Sequence, residues 1–378
     1  MNIGFIEDTP LHGGTQIWVT EAIDAFLAQG QDVTLLAPEG SWIVKQRADS
    51  GAQIFTYDWD EVVEERHEHV QIWTEALRQC DVVLCTVHPP REEFHCSVFA
   101  ARCIAAAGLP THLIPKTGTI VPEYERRFYR PGETINTSVI AIADFTRQYL
   151  IETYKIPEEF ITLIYQGVDA QRFKSTAEGK KAALKRYLLP ENAAPVLASV
   201  GSFEHRKGQP VMFEALGHLA SGPLPDIHLM LVGDGPDEHL LRNLAQELGL
   251  GDHVSLFPFT SEPNYVFERA DITVLPSLYK EGLPNVLQES MAMNVPVISS
   301  RIGGVPEVVF DGQTGYMVEP GNSDHLAEAI LKLWTDQETY RKMCVQAREL
   351  ILDRFNKENQ FKQFLEHFRA ITGEHHDN

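Results

Sequence analysis

Two successive series of short apolar runs, each spaced by amphipathic stretches, constrain this chain more than any single motif does. The first series is "NIGFI", "DVTLLAP", "DVVLCTV", "LPTHLIP" and "SVIAIA". Runs this short and this apolar predict strands buried on both faces. Between several of them lie helical patterns such as "TQIWVTEAIDAFLAQG", closed by Gly30. That alternation predicts a parallel sheet covered by helices on both sides. The pattern then restarts with "APVLASVG", "DIHLMLVGDG", "HVSLFPF", "DITVLPS", "VPVISS" and "GYMV". The chain reads as an α/β protein of two similar halves, and its 378 residues exceed one ordinary core. No fixed-period repeat makes the halves copies.

The polar stretch "STAEGKKAALKRYLLPENAAP" between the series breaks near Pro190 and Pro195 and reads as the linker. The expected domains are therefore 1–185 and 186–354. A C-terminal segment, 355–378, reads as helical to about Ile371 and is expected to pack back on the first domain.

Charge narrows the partners. A net charge of −21 argues against nucleic-acid binding and against whole-surface attraction to anionic lipid, though a local basic patch for peripheral membrane contact is compatible with it. No apolar run is long enough to span a bilayer, and "MNIGFIEDTP" reads as a first strand without the basic start of a signal peptide. The five cysteines contain no close CxxC pair, so neither a disulfide framework nor a structural metal site is expected. The cytoplasm is the expected compartment.

The candidate chemistry lies in loops after strands. In "YKEGLPNVLQES", Gly282, Leu283, Pro284 and Asn285 lead into a helix whose first amides are free to hold an anion, yet Glu281 precedes it and Glu289 sits inside it. Either the helix start is simply acidic and solvated, or the amides hold a phosphate while the carboxylates hold another part of the same ligand. "VGSFEHRKGQP" places Arg206 and Lys207 after a strand in the same half, so both loops should open on one sheet edge. A guanidinium fork and an ammonium suit a diphosphate; a solvated pair is the plain alternative. "SSRIGGVPEVV" carries Gly303 and Gly304, read as structural apart from backbone proximity to the site.

In the first half, "HGGTQIW" puts Gly13 and Gly14 between strand and helix, with Thr15 as the expected cap: a ligand loop or a tight turn. His88, His112 and Lys116 are placed at or after strand ends, where a packed histidine is the plain reading. Arg126 and Arg127, with Arg130, form either an anion site or a solvated face paired with Glu123 and Glu125. Neither glycine loop is the GxGxxG of a dinucleotide fold, including "VGDGPD" at 232–237.

Taken in order, these segments resemble the retaining glycosyltransferases of family 4. The resemblance rests on the loop at 13–14, "QGVD" at 166–169, Phe173, Lys207–Gly208, "LVGDGP", Ala270–Asp271, the E-x7-E pair Glu281 and Glu289, and "GGVPEVV". It implies the GT-B fold, two facing Rossmann-like domains, with a nucleotide-sugar in the cleft as donor. It further implies Glu281 at the transferred sugar, Glu289 at the ribose, the diphosphate on Gly282–Leu283 with Arg206 and Lys207, and base contacts from backbone around Phe257–Phe259. Gly14, Ser202, Pro284 and Asn285 join that donor set. A UDP- or GDP-linked sugar is expected, with no cofactor and no metal. A small molecule or glycan is the expected acceptor, met by Gly13, Thr15, His88, His112, Lys116, Arg126 and Arg127, with Lys116 also counted among the catalytic groups.

The chain departs from the family pattern in places. Ser202 stands where the family has Arg, Gln166 where it has Asn, Ala143 where it has Ser, and Lys116 where it has His unless His112 serves instead. A lysine there favours an acceptor with a negative group. A sugar-nucleotide epimerase of the same fold and a non-catalytic sugar-nucleotide or glycan-binding protein are the competing readings.

Overall fold

The computed structural model describes residues 1–118 and 124–373. They form two compact units, one comprising Met1–Tyr165 with the segment from Asn359 onward, the other Gln166–Glu358.

In the first unit the strands are β1 (Asn2–Ile6), β2 (Asp32–Pro38), β3 (Gln53–Tyr57), β4 (Val82–Thr86), β5 (His112–Lys116), β6 (Val139–Ala141) and β7 (Ile161–Leu163). They form one parallel sheet in the order β3-β2-β1-β4-β5-β6-β7. Every residue of β4 is buried, as its unbroken apolar run requires. β3 and β7 were not anticipated. Both are edge strands, β3 only partly buried and β7 three residues long, so neither carries a continuous apolar run.

The C-terminal helix Lys357–Thr372 closes this unit. Its Phe361, Phe364 and Phe368 pack on Trp18 and Phe26 of the helix Gly14–Ala28, with Trp18 and Phe364 ring centroids 5.4 Å apart. Burying each phenylalanine stabilises the unit by about 1.5–3 kcal/mol, enough to hold the helix there.

The second unit contains β8 (Val196–Val200), β9 (His228–Val232), β10 (Val254–Phe257), β11 (Ile272–Leu275), β12 (Val297–Ser300) and β13 (Gly315–Val318). Their parallel order is β10-β9-β8-β11-β12-β13. Both units are thus Rossmann-like α/β sheets, the architecture of the GT-B fold.

The unit boundary differs from the expected 185/186. The supposed linker contains a helix, Ala177–Arg186, tied to the second unit: the Ser175 hydroxyl and the Thr176 amide donate to Glu268 at 2.7 and 2.8 Å, and Arg186 to Glu262 at 2.7 Å. Only Ala183 of that helix is buried, which is why its composition resembles a linker. The second unit also extends past 354, because the Val168 amide donates to Phe355 O at 2.8 Å and the Lys357 amide to Val168 O at 3.1 Å. Among the described residues no helix is long and apolar enough to cross a membrane.

Candidate functional site

In open parallel sheets, ligands bind beyond the carboxyl ends of the strands where the strand order reverses. In the second unit that reversal lies between β8 and β11, so the loops after these strands form its switch point. They are joined by backbone: the Leu278 amide donates to Arg206 O at 2.8 Å. Gly208, at φ +69°, permits this approach, since a Cβ there would stand 2.1 Å from Pro276 O.

Glu281 occupies the centre of this junction and is 6% exposed. Lys207 Nζ and Ser277 Oγ each donate to its Oε1 at 2.6 Å, and Arg206 Nη1 stands 3.7 Å from the same oxygen. Arg206 also donates from Nε to Glu204 at 2.7 Å. Burial raises the Glu204 carboxyl, but the Ser202 hydroxyl and Arg206 outweigh it and hold the group below its ordinary value. Ser202 therefore works on Glu204, and it is Arg206 that brings a guanidinium near Glu281. The preceding Lys280 has a left-handed backbone, φ +62°, uncommon for a non-glycine residue and typical of functional loops.

Gly303 and Gly304 clamp this loop from the side. The Gly304 amide donates to Gly282 O at 2.9 Å, and a Cβ on Gly303 would stand 1.9 Å from Glu281 O. Leu283 and Pro284 are buried, and the helix Asn285–Ala292 follows with no side chain capping its first amides. Asn285 Oδ1 accepts a 2.6 Å bond from Gln166 Nε2, the residue that replaces the family asparagine. Glu289 lies half-buried in that helix. Near the expected base site, Phe257 O is already bonded to the Gly233 amide at 3.0 Å, and Phe259 is exposed.

The first unit reverses its order between β1 and β4, and this edge carries a second cluster. Glu7 and Asp8 directly follow β1, His88 lies two residues past β4, and Lys116 ends β5. Glu7 is fully buried; its Oε1 binds His88 Nε2 and accepts from Gln16 Nε2 at 2.9 Å. Burial works against a charged His88, but the Glu7 carboxylate outweighs it and raises the ring above its ordinary value. Asp8 accepts from the Tyr57 hydroxyl and from Arg91, both at 2.7 Å. The Lys116 ammonium sits 4.0 Å from the centroid of the Trp18 ring, and burial lowers it to about 8 against the pull of Glu7. Trp18 is itself held by Gln360, which accepts its indole N–H at 3.2 Å.

Several expected residues fall elsewhere. His112 starts β5, at the opposite end of the sheet and about 13 Å along the strand from Lys116. It bonds Ser138 Oγ at 3.0 Å, and burial lowers it to about 4, so it does not replace the family histidine. Thr15 is not the helix cap: Gly13 holds that position, with an extended backbone and no side-chain bond, and Gly14 begins the helix. Arg126 is exposed, and Arg127 pairs with Glu125 at 2.8 Å while lining a cavity of about 750 Å³ with Arg91, Glu92, Glu93 and Arg102. Arg130 lies apart from both, over the Phe160 ring at 3.5 Å; Glu123 is outside the described residues. Glu7, Asp8, Gln16, Trp18 and Ser277 were not anticipated. The signal for the first two was present in "FIEDTP", two carboxylates immediately after a first strand.

As to metals, Glu61, Glu68 and His69 bring potential ligand atoms within 4.8 Å of one another, but Arg66 already neutralises both carboxylates, at 3.4 and 3.7 Å. The expected absence of a metal stays an expectation.

Comparison with known proteins finds similarity centred on the second unit. Residues 181–350 match the family described as Glycosyl transferases group 1. The match lies within the second unit. The matched segment contains Ser202, Arg206, Lys207, Glu281 and Glu289, the residues gathered at or beside the switch point. Its relatives include the N-acetyl-alpha-D-glucosaminyl L-malate synthase of Bacillus anthracis, 30% identical over 56% of this chain and 55% of that protein. Another is the GDP-mannose-dependent alpha-(1-6)-phosphatidylinositol monomannoside mannosyltransferase of Mycolicibacterium smegmatis, 31% identical over 57% of each. The chain spans about half the length of these curated relatives. Over the whole fold it is similar to the Rickettsia africae glycosyltransferase, with a TM-score of 0.84 at 20% identity and 99% of both chains covered. Anabaena Alr3699/HepE, solved with UDP-glucose, gives 0.84 at 19% identity over 98% of this chain and 100% of that one.

Proposed function

We propose that this chain is a retaining, family 4 glycosyltransferase that moves a hexose from a UDP- or GDP-linked sugar to a hydroxyl acceptor in the cytoplasm. The observation that carries the reading is the placement of Arg206 and Lys207 around Glu281 beside an uncapped helix start. Departure of a nucleoside diphosphate builds negative charge on the leaving oxygen, and prepositioned donors stabilise charge that develops there. The guanidinium, the ammonium and the free amides before Val286 are such donors, and they supply the positive charge this chemistry needs without a cofactor. Glu281 accepts sugar hydroxyls while keeping Lys207 oriented, and Glu289 accepts from the ribose. Attack comes from the face the diphosphate leaves, with a phosphate oxygen taking the acceptor proton. No second carboxylate is needed as nucleophile, in contrast to a retaining glycosidase.

Both donor bases have support, because the HepE structure holds UDP-glucose and the mycobacterial relative is GDP-mannose-dependent. Calorimetric titration with UDP-, GDP- and ADP-sugars, each against its free nucleotide, tests the reading. One series should bind and be turned over when acceptors are supplied. Binding without transfer or hydrolysis would favour a binding protein, sugar interconversion without acceptor would favour an epimerase, and silence across the panel would overturn the donor site.

A further inference from the structure

At the ligand edge of the first unit, the described residues around Lys116 and His88 leave positive charge unbalanced. The β4–β5 register pairs Thr86 with Lys116, so His88, two residues beyond Thr86, lies on the neighbouring strand end. Lys116 is 3% exposed. Among the described residues its ammonium meets no carboxylate within ion-pair distance; it meets the Trp18 ring. Removing an ammonium from water is costly, and a cation–π contact offsets only part of that cost.

The neighbouring anions are committed. Asp8 is held by Tyr57 and Arg91, and Arg91 is further fixed by Trp59 O and by the Trp59 and Phe94 rings at 4.3 and 4.9 Å. Glu7 gives its Oε1 to His88 and Gln16, while its Oε2 is buried without a partner. Two cationic side chains therefore share one carboxylate, and the Lys116 ammonium works against the charge of His88. The missing element is an anion.

Resting on the transferase reading above, we propose that the acceptor hydroxyl belongs to a small acid, whose carboxylate or phosphate is seated by Lys116 and His88. Glu7 and Trp18 act as positioning residues, Glu7 orienting the His88 ring and Trp18 holding the lysine. A neutral acceptor leaves both cations uncompensated, so the cluster discriminates against it. A purely structural lysine makes no such distinction.

The test uses matched pairs on the intact protein: glucose 6-phosphate against glucose, D-glycerate against glycerol, and L-malate against 1,2,4-butanetriol. Binding is read by calorimetry with the free nucleotide present. The acid member of at least one pair should bind tenfold or more tightly than its neutral partner. Lys116→Gln should remove that preference and Lys116→Arg retain part of it, with nucleotide affinity unchanged in both. Equal affinity within every pair, no acid binding at all, or a preference that survives Lys116→Gln overturns the proposal; the wild-type comparison stands even if a variant does not fold. Transfer of sugar only to neutral acceptors would sink the acid-acceptor inference and leave the transferase standing. Acid binding through Lys116 without sugar transfer to any bound acid would overturn the acceptor role and leave only an acid-binding site.

Discussion

Lys207 Nζ and Glu281 Oε1 stand 2.6 Å apart, an ion pair built from the loops after β8 and β11, strands that are neighbours in the sheet and far apart in the chain. Both side chains are largely buried, so each depends on the other for charge balance. Glu281→Gln keeps the shape and removes the charge. The expected result is a fall in kcat of about 100-fold or more with donor affinity within a few-fold, the scale of losing charge stabilisation that acts in the transition state. Steady-state kinetics beside donor titrations measure the two separately, and an unchanged kcat would remove Glu281 from the chemistry.

Glu289 lies within the helix Asn285–Ala292, past its uncapped first turn. Glu289→Ala should weaken nucleotide-sugar binding by about 10–100-fold, the loss of a charged hydrogen-bond acceptor. The same change should alter kcat little. Calorimetry with the donor and with the free nucleotide reads this directly, because the proposed ribose contact would be lost from both.

Gly208→Ala has a steric outcome. The new Cβ would fall 2.1 Å from Pro276 O at a left-handed φ of +69°, and the obstacle is backbone. The two switch-point loops must then separate. Thermal denaturation should show a loss of at least about 2 kcal/mol, with donor binding weakened alongside. A variant as stable as the parent would mean the loops do not need this contact.

Buried histidines should make the fold acid-sensitive, His95, His112 and His228 among them. Burial lowers His95 to about 3, and lowers His112 and His228 to about 4, from an ordinary value of 6.5. Each is neutral when folded and takes up a proton on unfolding once the pH drops below 6.5, so the unfolded state binds more protons in that window. Their stabilising contribution is present above 6.5 and is lost progressively toward 4 and below. Denaturant midpoints measured from pH 7 to pH 4 should fall steadily, and His228→Asn should flatten part of that slope. His228 suits the substitution because it bonds Ser255 and lies outside the candidate site.

By itself the sequence determined the two parallel sheets and the loops that meet at the switch point of the second. Buried parallel strands need unbroken apolar runs, and "DVVLCTV" or "DITVLPS" can hardly be anything else. The E-x7-E spacing and the Arg206–Lys207 pair were legible because they are local: a loop, a helix start and the residues beside it. Edge strands β3 and β7 were not legible, since half-exposed or three-residue strands leave no continuous pattern. The helix at Ala177–Arg186 was concealed for the same reason, burying one residue among many charged ones.

Only the tertiary structure decided which distant residues meet. His112 and Lys116 are four positions apart and look interchangeable in the chain, yet a strand separates its ends by its full length, so one lies at the ligand edge and the other does not. Glu7, Trp18, His88 and Lys116 come from separate elements and have no spacing that announces them. Strand order brings them together, and strand order is set by long-range pairing in the sheet, which local sequence does not encode.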